Sequence, residues 1–108
     1  MTRYYYVLAS EHFLLEEEPL AEVLEERTQY YERKGKEIDF WLVRQPAFLE
    51  APEMKSVKQQ CPQPAAAVIT TDINFRNWLK LRLEYVVKGE FEAPSETIPD
   101  PLASLTTA

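Results

Sequence analysis

Two hydrophobic periods run along this chain, and they divide it into alternating elements. Arg3–Ala9 carries Tyr4, Tyr5, Tyr6, Val7 and Leu8, residue types that suit a pleated, half-buried surface, and predicts a strand. The period then changes. Leu20, Val23, Leu24, Tyr30 and Tyr31 fall on one helical stripe, with Glu16-Glu17-Glu18-Pro19 as its opening. Acids favour a first turn and bases a last one, so Arg33 and Lys34 mark the end and Gly35 stops it. Ile38–Val43 is the next strand, ended by Pro46, and Ala47–Ala51 is a connector. Pro52 opens a short helix through Lys58, which Pro62 and Pro64 break. Ala65–Thr71 is a third strand. Asp72 or Asn74 caps a helix running to about Lys88, before Gly89. Beyond Phe91, the prolines Pro94, Pro99 and Pro101 exclude helix interior and central strand. Residues 1–90 therefore read as one α+β domain, and residues 91–108 as an extended tail docked through Ile98, Leu102 and Leu105. The element order predicts a two-layer sandwich, a small sheet of three to four strands with about three helices. The pattern alone does not fix strand direction.

Both faces of that sheet are apolar. Ile38, Phe40 and Leu42 alternate with Asp39, Trp41 and Val43, and Ala65, Ala67 and Ile69 with Ala66, Val68 and Thr70. A sheet with one solvated face alternates more cleanly. Either helices cover both faces, or a partner or a second copy covers one.

Composition narrows the chemistry. The chain has 108 residues with 12 Lys+Arg against 18 Asp+Glu, a net charge of −6, which disfavours phosphate neutralisation and nucleic-acid binding. One Cys and one His exclude an internal disulfide and a Cys/His zinc site, and two Gly leave no phosphate loop. His12 has no Glu-x-x-His context for a diiron site, and no Gly-x-Ser-x-Gly elbow supports a triad. His12 reads as a surface residue and Cys61 as an inert thiol. No catalytic residue, metal ligand or cofactor is expected. The tyrosine-rich start does not resemble a signal peptide, and the apolar runs are too short to cross a bilayer.

Charge is unevenly spread. Residues 11–26 hold seven glutamates and one late base, Arg27, follows them; residues 55–88 are mostly basic; the tail is acidic. Three charges stand against the apolar pattern. Arg82 falls within the arc of Phe75, Trp78, Leu79, Leu83, Tyr85 and Val86, Arg27 sits among the apolar residues of the first helix, and Asp39 lies in a strand. Such a charge must be paired, reach water or face a partner. Asp39 pairing with Arg82 or Arg27 is one outcome. An interaction patch of Asp39, Phe40 and Arg82 is the other.

The chain resembles the small accessory protein family of the aerobic magnesium-protoporphyrin IX monomethyl ester cyclase of cyanobacteria and plastids. The resemblance spans Tyr4 to about Leu105. It rests on Phe13-Leu14-Leu15-Glu16-Glu17-Glu18-Pro19, Lys36-Glu37-Ile38-Asp39-Phe40-Trp41, Gln45-Pro46-Ala47-Phe48-Leu49, Arg82-Leu83-Glu84-Tyr85-Val86, Gly89-Glu90-Phe91-Glu92-Ala93-Pro94-Ser95 and Ile98-Pro99-Asp100-Pro101-Leu102-Ala103-Ser104-Leu105. It implies a mostly antiparallel sheet and a non-catalytic factor that supports the diiron oxygenase of chlorophyll synthesis. Asp39, Phe40 and Arg82 would then belong to the surface that binds this oxygenase. It implies a cytoplasmic or stromal protein, peripheral at the thylakoid through its partner only, with a homo-oligomer open. A tetrapyrrole carrier that delivers substrate is the alternative.

Overall fold

The computed structural model describes residues 1–18 and 20–106. Four strands form one sheet in the order β2-β3-β1-β4: β1 is Thr2–Ser10, β2 Phe40–Arg44, β3 Ala65–Thr70 and β4 Val87–Ala93. Every neighbouring pair is antiparallel. The helices are α1 (Leu20–Lys34), α2 (Lys55–Gln59) and α3 (Ile73–Leu83). The expected α+β class, with its antiparallel sheet and about three helices, is what the chain forms. Helix α1 carries the chain from β1 to β2 across β3, and α3 carries it from β3 to β4 across β1. Two such split β-α-β units make the ferredoxin-like arrangement.

The chain covers both faces of its own sheet. On one face α1 and α3 bury Leu20, Leu24, Tyr31, Phe75, Leu79 and Leu83 against Val7, Ala66 and Val68. On the other, the segment around Phe48, Leu49 and Met54 packs with Ile98 of the tail on Tyr6, Leu8, Ala67 and Ile69. All six residues of β3 are buried, and its three alanines allow close approach from either side. This answers the question the doubly apolar strands raised: no partner is needed to cover the sheet.

Several boundaries differ from expectation. Phe13–Glu17 forms a π-helical turn ahead of α1, so Glu16 and Glu17 belong to that turn, and Glu18 is extended. Pro19, read as the helix opening, lies outside the described residues. Helix α1 ends as predicted. Gly35 adopts φ 66°, its N–H donates to the Glu32 carbonyl and that of Lys36 to the Tyr31 carbonyl, the paired bonds of a Schellman motif. Tyr30 turns outward while Tyr31 is buried. Ala47–Glu50 and Pro52–Met54 each make a 3-10 turn.

The largest correction concerns residues 84–93. Helix α3 stops at Leu83, not near Lys88, and Val87–Ala93 pairs with β1 from Leu8↔Val87 to Thr2↔Ala93. The strand crosses the division expected after residue 90. Pro94 is no obstacle, because it follows the last paired residue of an edge strand. In the tail, Ile98 is buried and Leu102 packs on the core, whereas the Leu105 side chain is exposed and only its backbone N–H is held, by the Gln45 carbonyl.

Gly89 sits where β4 passes the ring of Tyr6, its partner across the ladder. A Cβ there would lie 2.6 Å from Tyr6 Cζ, inside van der Waals contact with a buried ring. Gly89→Ala should therefore lower unfolding free energy by about 1–3 kcal/mol, the cost of overpacking. Urea melts would show it, and Tyr6→Leu in the same chain should recover part of the loss.

Candidate functional site

The polar groups that matter gather where α1, α3 and the start of β2 meet. Arg27 reaches from the middle of α1 into a nest of rings. Its guanidinium carbon lies 3.8 Å from the ring centroid of Phe75, 5.0 Å from that of Tyr31 and 5.6 Å from that of Phe40. Nη2 donates to the Tyr31 hydroxyl at 2.9 Å and, more weakly, to Asp72 Oδ2 at 3.5 Å. Nε is buried and has no partner among the described residues.

Tyr31 relays this contact to β2. Its hydroxyl donates to Asp39 Oδ1 at 2.9 Å and also receives Lys36 Nζ at 3.4 Å. The Asp39 carbonyl accepts the Thr70 hydroxyl at 2.8 Å and the Thr71 N–H at 3.1 Å, so Asp39 also pins the beginning of β2 to the end of β3. Asp72 Oδ1 caps α3 by accepting the N–H groups of Asn74 and Phe75. One connected set thus registers α1, α3 and two strands. An open groove of about 510 Å³ runs over it between α1 and α3, walled by Val23, Arg27, Tyr30, Phe75 and Trp78.

The three expected site residues fall into two places. Asp39 is partly buried and bound to Tyr31, and Phe40 is buried with its ring edge-on to Tyr31 and Phe75. Arg82 is exposed in the last turn of α3, with its guanidinium 5.9 Å from the ring centroid of Trp78. Phe75, against Phe40, and Arg82 stand seven residues apart on α3, about 10 Å along its axis. Asp39 makes its polar contacts with Tyr31 and Lys36, so the Asp39–Arg82 ion pair does not form, and Arg27 reaches Asp39 only through the Tyr31 hydroxyl.

Arg82 is also not the arginine on the buried arc of α3. That place belongs to Arg76, 6% exposed, which the basic stretch had concealed. Its Nη1 donates to the Gly89 carbonyl at 2.7 Å and its Nε to Asn77 Oδ1 at 2.8 Å, and its guanidinium lies over the Tyr5 ring. It ties α3 to β4. The signal was present in the spacing: Arg76 stands three residues before Leu79 and seven before Leu83. Trp78 and Tyr85, counted on the apolar arc, drew its centre toward Arg82, yet both are exposed.

The remaining candidates carry little chemistry. His12 is exposed beside Glu16 and Glu17. Cys61 is buried, and burial pushes its thiol above the ordinary range, which disfavours the reactive thiolate. Among the described residues no three metal-ligating side chains cluster, and no helix is long and apolar enough to cross a membrane.

Fold and site together define a small α+β protein whose helix layer presents an exposed arginine on tryptophan beside an internally braced aromatic groove. The model of the Ycf54 protein family matches residues 2–93, and the chain belongs to that family. The "Ycf54-like protein" of Synechocystis is 61% identical over 105 residues, which is 97% of this chain and 79% of that one. "Protein YCF54, chloroplastic" of Arabidopsis thaliana is 36% identical over 107 residues, 98% of this chain and 49% of that one. The solved structure of the All0216 protein of Nostoc superposes with a TM-score of 0.96 at 70% identity, covering 97% of each chain.

Tyr31→Phe keeps the ring and removes only the relay. It should cost about 1–2 kcal/mol in chemical denaturation, since Asp39 and Arg27 each lose a partly buried hydrogen bond. In a double-mutant cycle with Asp39→Asn, the two losses should be less than additive.

Proposed function

We propose that this protein is a non-catalytic accessory subunit that binds and supports the diiron magnesium-protoporphyrin IX monomethyl ester cyclase, in the step that closes the isocyclic ring of chlorophyll. The reading joins the resemblance to that accessory family with membership of the Ycf54 family. The structural observation that carries it is Arg82. An exposed guanidinium over an exposed tryptophan, with no carboxylate within ion-pair distance among the described residues, is a cation left for another molecule. Asp39 and Phe40 serve the same surface from beneath, by fixing how α3 sits on the sheet. The relatives in Synechocystis and in chloroplasts support a cytoplasmic or stromal setting, with the thylakoid reached through the partner.

Affinity-tagged protein expressed in a cyanobacterium should co-purify the oxygenase. Arg82→Ala should retain the thermal midpoint of the parent and recover about ten-fold less oxygenase, the effect of losing one interface hot spot. Equal recovery would remove Arg82 from the interface. Asp39→Ala should lose recovery together with stability.

The aromatic groove favours a second reading, a carrier for the tetrapyrrole, because the exposed rings of Tyr30 on α1 and Trp78 on α3 line it from its two sides. Titrating the purified protein with the magnesium porphyrin ester decides between them. The accessory reading expects an unchanged absorbance spectrum, the carrier reading a saturable shift.

A further inference from the structure

The sheet ends in two unlike edges. At β2 the chain turns away at Gln45, φ 44°, and the tail crosses that end, where Pro46 bridges Ser104 and the Ser104 hydroxyl donates to the Arg44 carbonyl. At β4 no further strand pairs among the described residues, and no proline interrupts Val87–Ala93. The groups left open there follow from the ladder. The Glu11 N–H donates to the Pro64 carbonyl at 2.9 Å, continuing the β1–β3 register, so the odd residues of β1 turn their backbone groups to β3 and the even ones to β4. Val87, Gly89, Phe91 and Ala93 are thereby engaged with β1, and the N–H and C=O groups of Lys88, Glu90 and Glu92 point out from the sheet. Tyr6 adds another open group. It is 2% exposed, and its ring lies over Gly89, with the hydroxyl oxygen closest to where a Cβ would stand. That hydroxyl has no hydrogen-bond partner among the described residues and opens on a groove of about 820 Å³ that follows β4.

We propose that β4 pairs antiparallel with β4 of a second copy of this chain, Gly89 opposite Gly89, joining the two sheets into one. Charge selects the register. Lys88, Glu90 and Glu92 are the residues whose backbone groups are free, so pairing sets them opposite one another. With Gly89 on the two-fold axis, Lys88 of each copy meets Glu90 of the other. Every other register that pairs these residues places Lys88 on Lys88, Glu90 on Glu90, Glu90 on Glu92 or Glu92 on Glu92. Lys88 has no ion pair among the described residues, while Arg3 holds Glu90 at 2.9 Å and Glu92 at 2.6 Å. The edge thus carries Arg3 and Lys88 against Glu90 and Glu92, and it meets its own copy without net repulsion although the chain carries −6. Arg76 is buried and bonded to the Gly89 carbonyl. Glu53 and Glu96 line the groove from the Pro52–Met54 turn and the tail, and Glu53 accepts the Thr97 hydroxyl at 2.6 Å. On the face of the sheet that Tyr6 occupies, Val87 meets Phe91 of the other copy. Glycine across from glycine leaves room there for the two Tyr6 hydroxyls, one donating and the other accepting. Each hydroxyl therefore finds its partner only in the pair. This pairing goes beyond the accessory reading and does not depend on it.

Sedimentation velocity on the purified full chain, from about 1 μM to about 500 μM, should show reversible association to a dimer. Lys88→Glu and Glu90→Lys should each weaken that association at least about ten-fold, because each sets like charges opposite one another. Their equimolar mixture should regain the dimer, since in the mixed pair both contacts join opposite charges. Lys88→Glu breaks no ion pair within the chain, so dilute variant and dilute parent should share one thermal midpoint. Tyr6→Phe should weaken the dimer about five-fold and leave that midpoint unchanged. A parent that stays monomeric throughout overturns the proposal. So does a dimer that Lys88→Glu leaves intact, or one that the two charge variants do not restore on mixing, because another face then makes the contact.

Discussion

Arg27 is the contact on which the packing of the helix layer depends. Helix α1 is not hydrogen-bonded into the sheet; side chains hold it, and Arg27 meets Phe75 of α3 and Phe40 of β2 directly and Asp39 through the Tyr31 hydroxyl. Its position is costly. The buried Nε has no partner, a loss of about 1–3 kcal/mol. Three ring faces oppose that loss, each cation–π contact contributing roughly 0.5–2 kcal/mol, and Nη2 adds two polar contacts. A leucine at this place would fill the nest with less penalty, but would leave the Tyr31 hydroxyl with one donor fewer and Asp72 without its cross-helix partner. The arginine gives registration of α1 against α3, which apolar packing alone specifies less sharply.

The sheet places that registration in context. Because β3 is buried on both faces, it must be covered twice, and the chain does so with α1 and α3 on one side and short turns plus the tail on the other. The alanines of β3 let both layers come close. Neither apolar face of the sheet is left open, and large exposed side chains stand instead on the outside of the helix layer. There, Trp78, Leu81 and Arg82 on α3 and Tyr85 just beyond it are exposed.

How much of this could be read in advance depended on whether the signal was local. The first strand was visible in its tyrosines and valine, the end of α1 in Arg33, Lys34 and Gly35, and the start of α3 in Asp72, because caps and strand propensities act over a few residues. Strand β4 is hidden from the sequence, although Val87, Gly89, Phe91 and Ala93 alternate with Lys88, Glu90 and Glu92. The apolar arc of α3 continues in register through Val86, and only the backbone at Glu84 breaks it. Glutamate carries no sequence signal for a positive φ. The spacing points to Arg82 and not Arg76 for a related reason: Trp78 is exposed and Tyr85 lies beyond the eleven-residue helix, yet both shift the apparent centre of the arc.

The separation of Asp39 and Phe40 from Arg82 changes what a shared role can mean. Phe40 meets α3 at Phe75, about 10 Å along the axis from Arg82, and groups so placed need not touch one ligand atom to affect one interface. Phe40 packs edge-on against Phe75 in the first turn of α3, and Asp39 fixes the Tyr31 ring that Phe40 also meets. Helix α3 runs from its Asp72 cap to the break at Glu84, so a tilt at its first turn also moves Arg82 in its last. On the accessory reading proposed above, loss of the lower pair misplaces a surface, whereas loss of Arg82 removes a contact from a surface still in place. The first is an effect of packing and must appear in stability; the second is an effect of complementarity and need not. The same distinction explains why acid and aromatic are interior while the cation is outside. Asp39 and Phe40 find their partners within the chain, whereas the Arg82 guanidinium has, among the described residues, the Trp78 ring and no carboxylate.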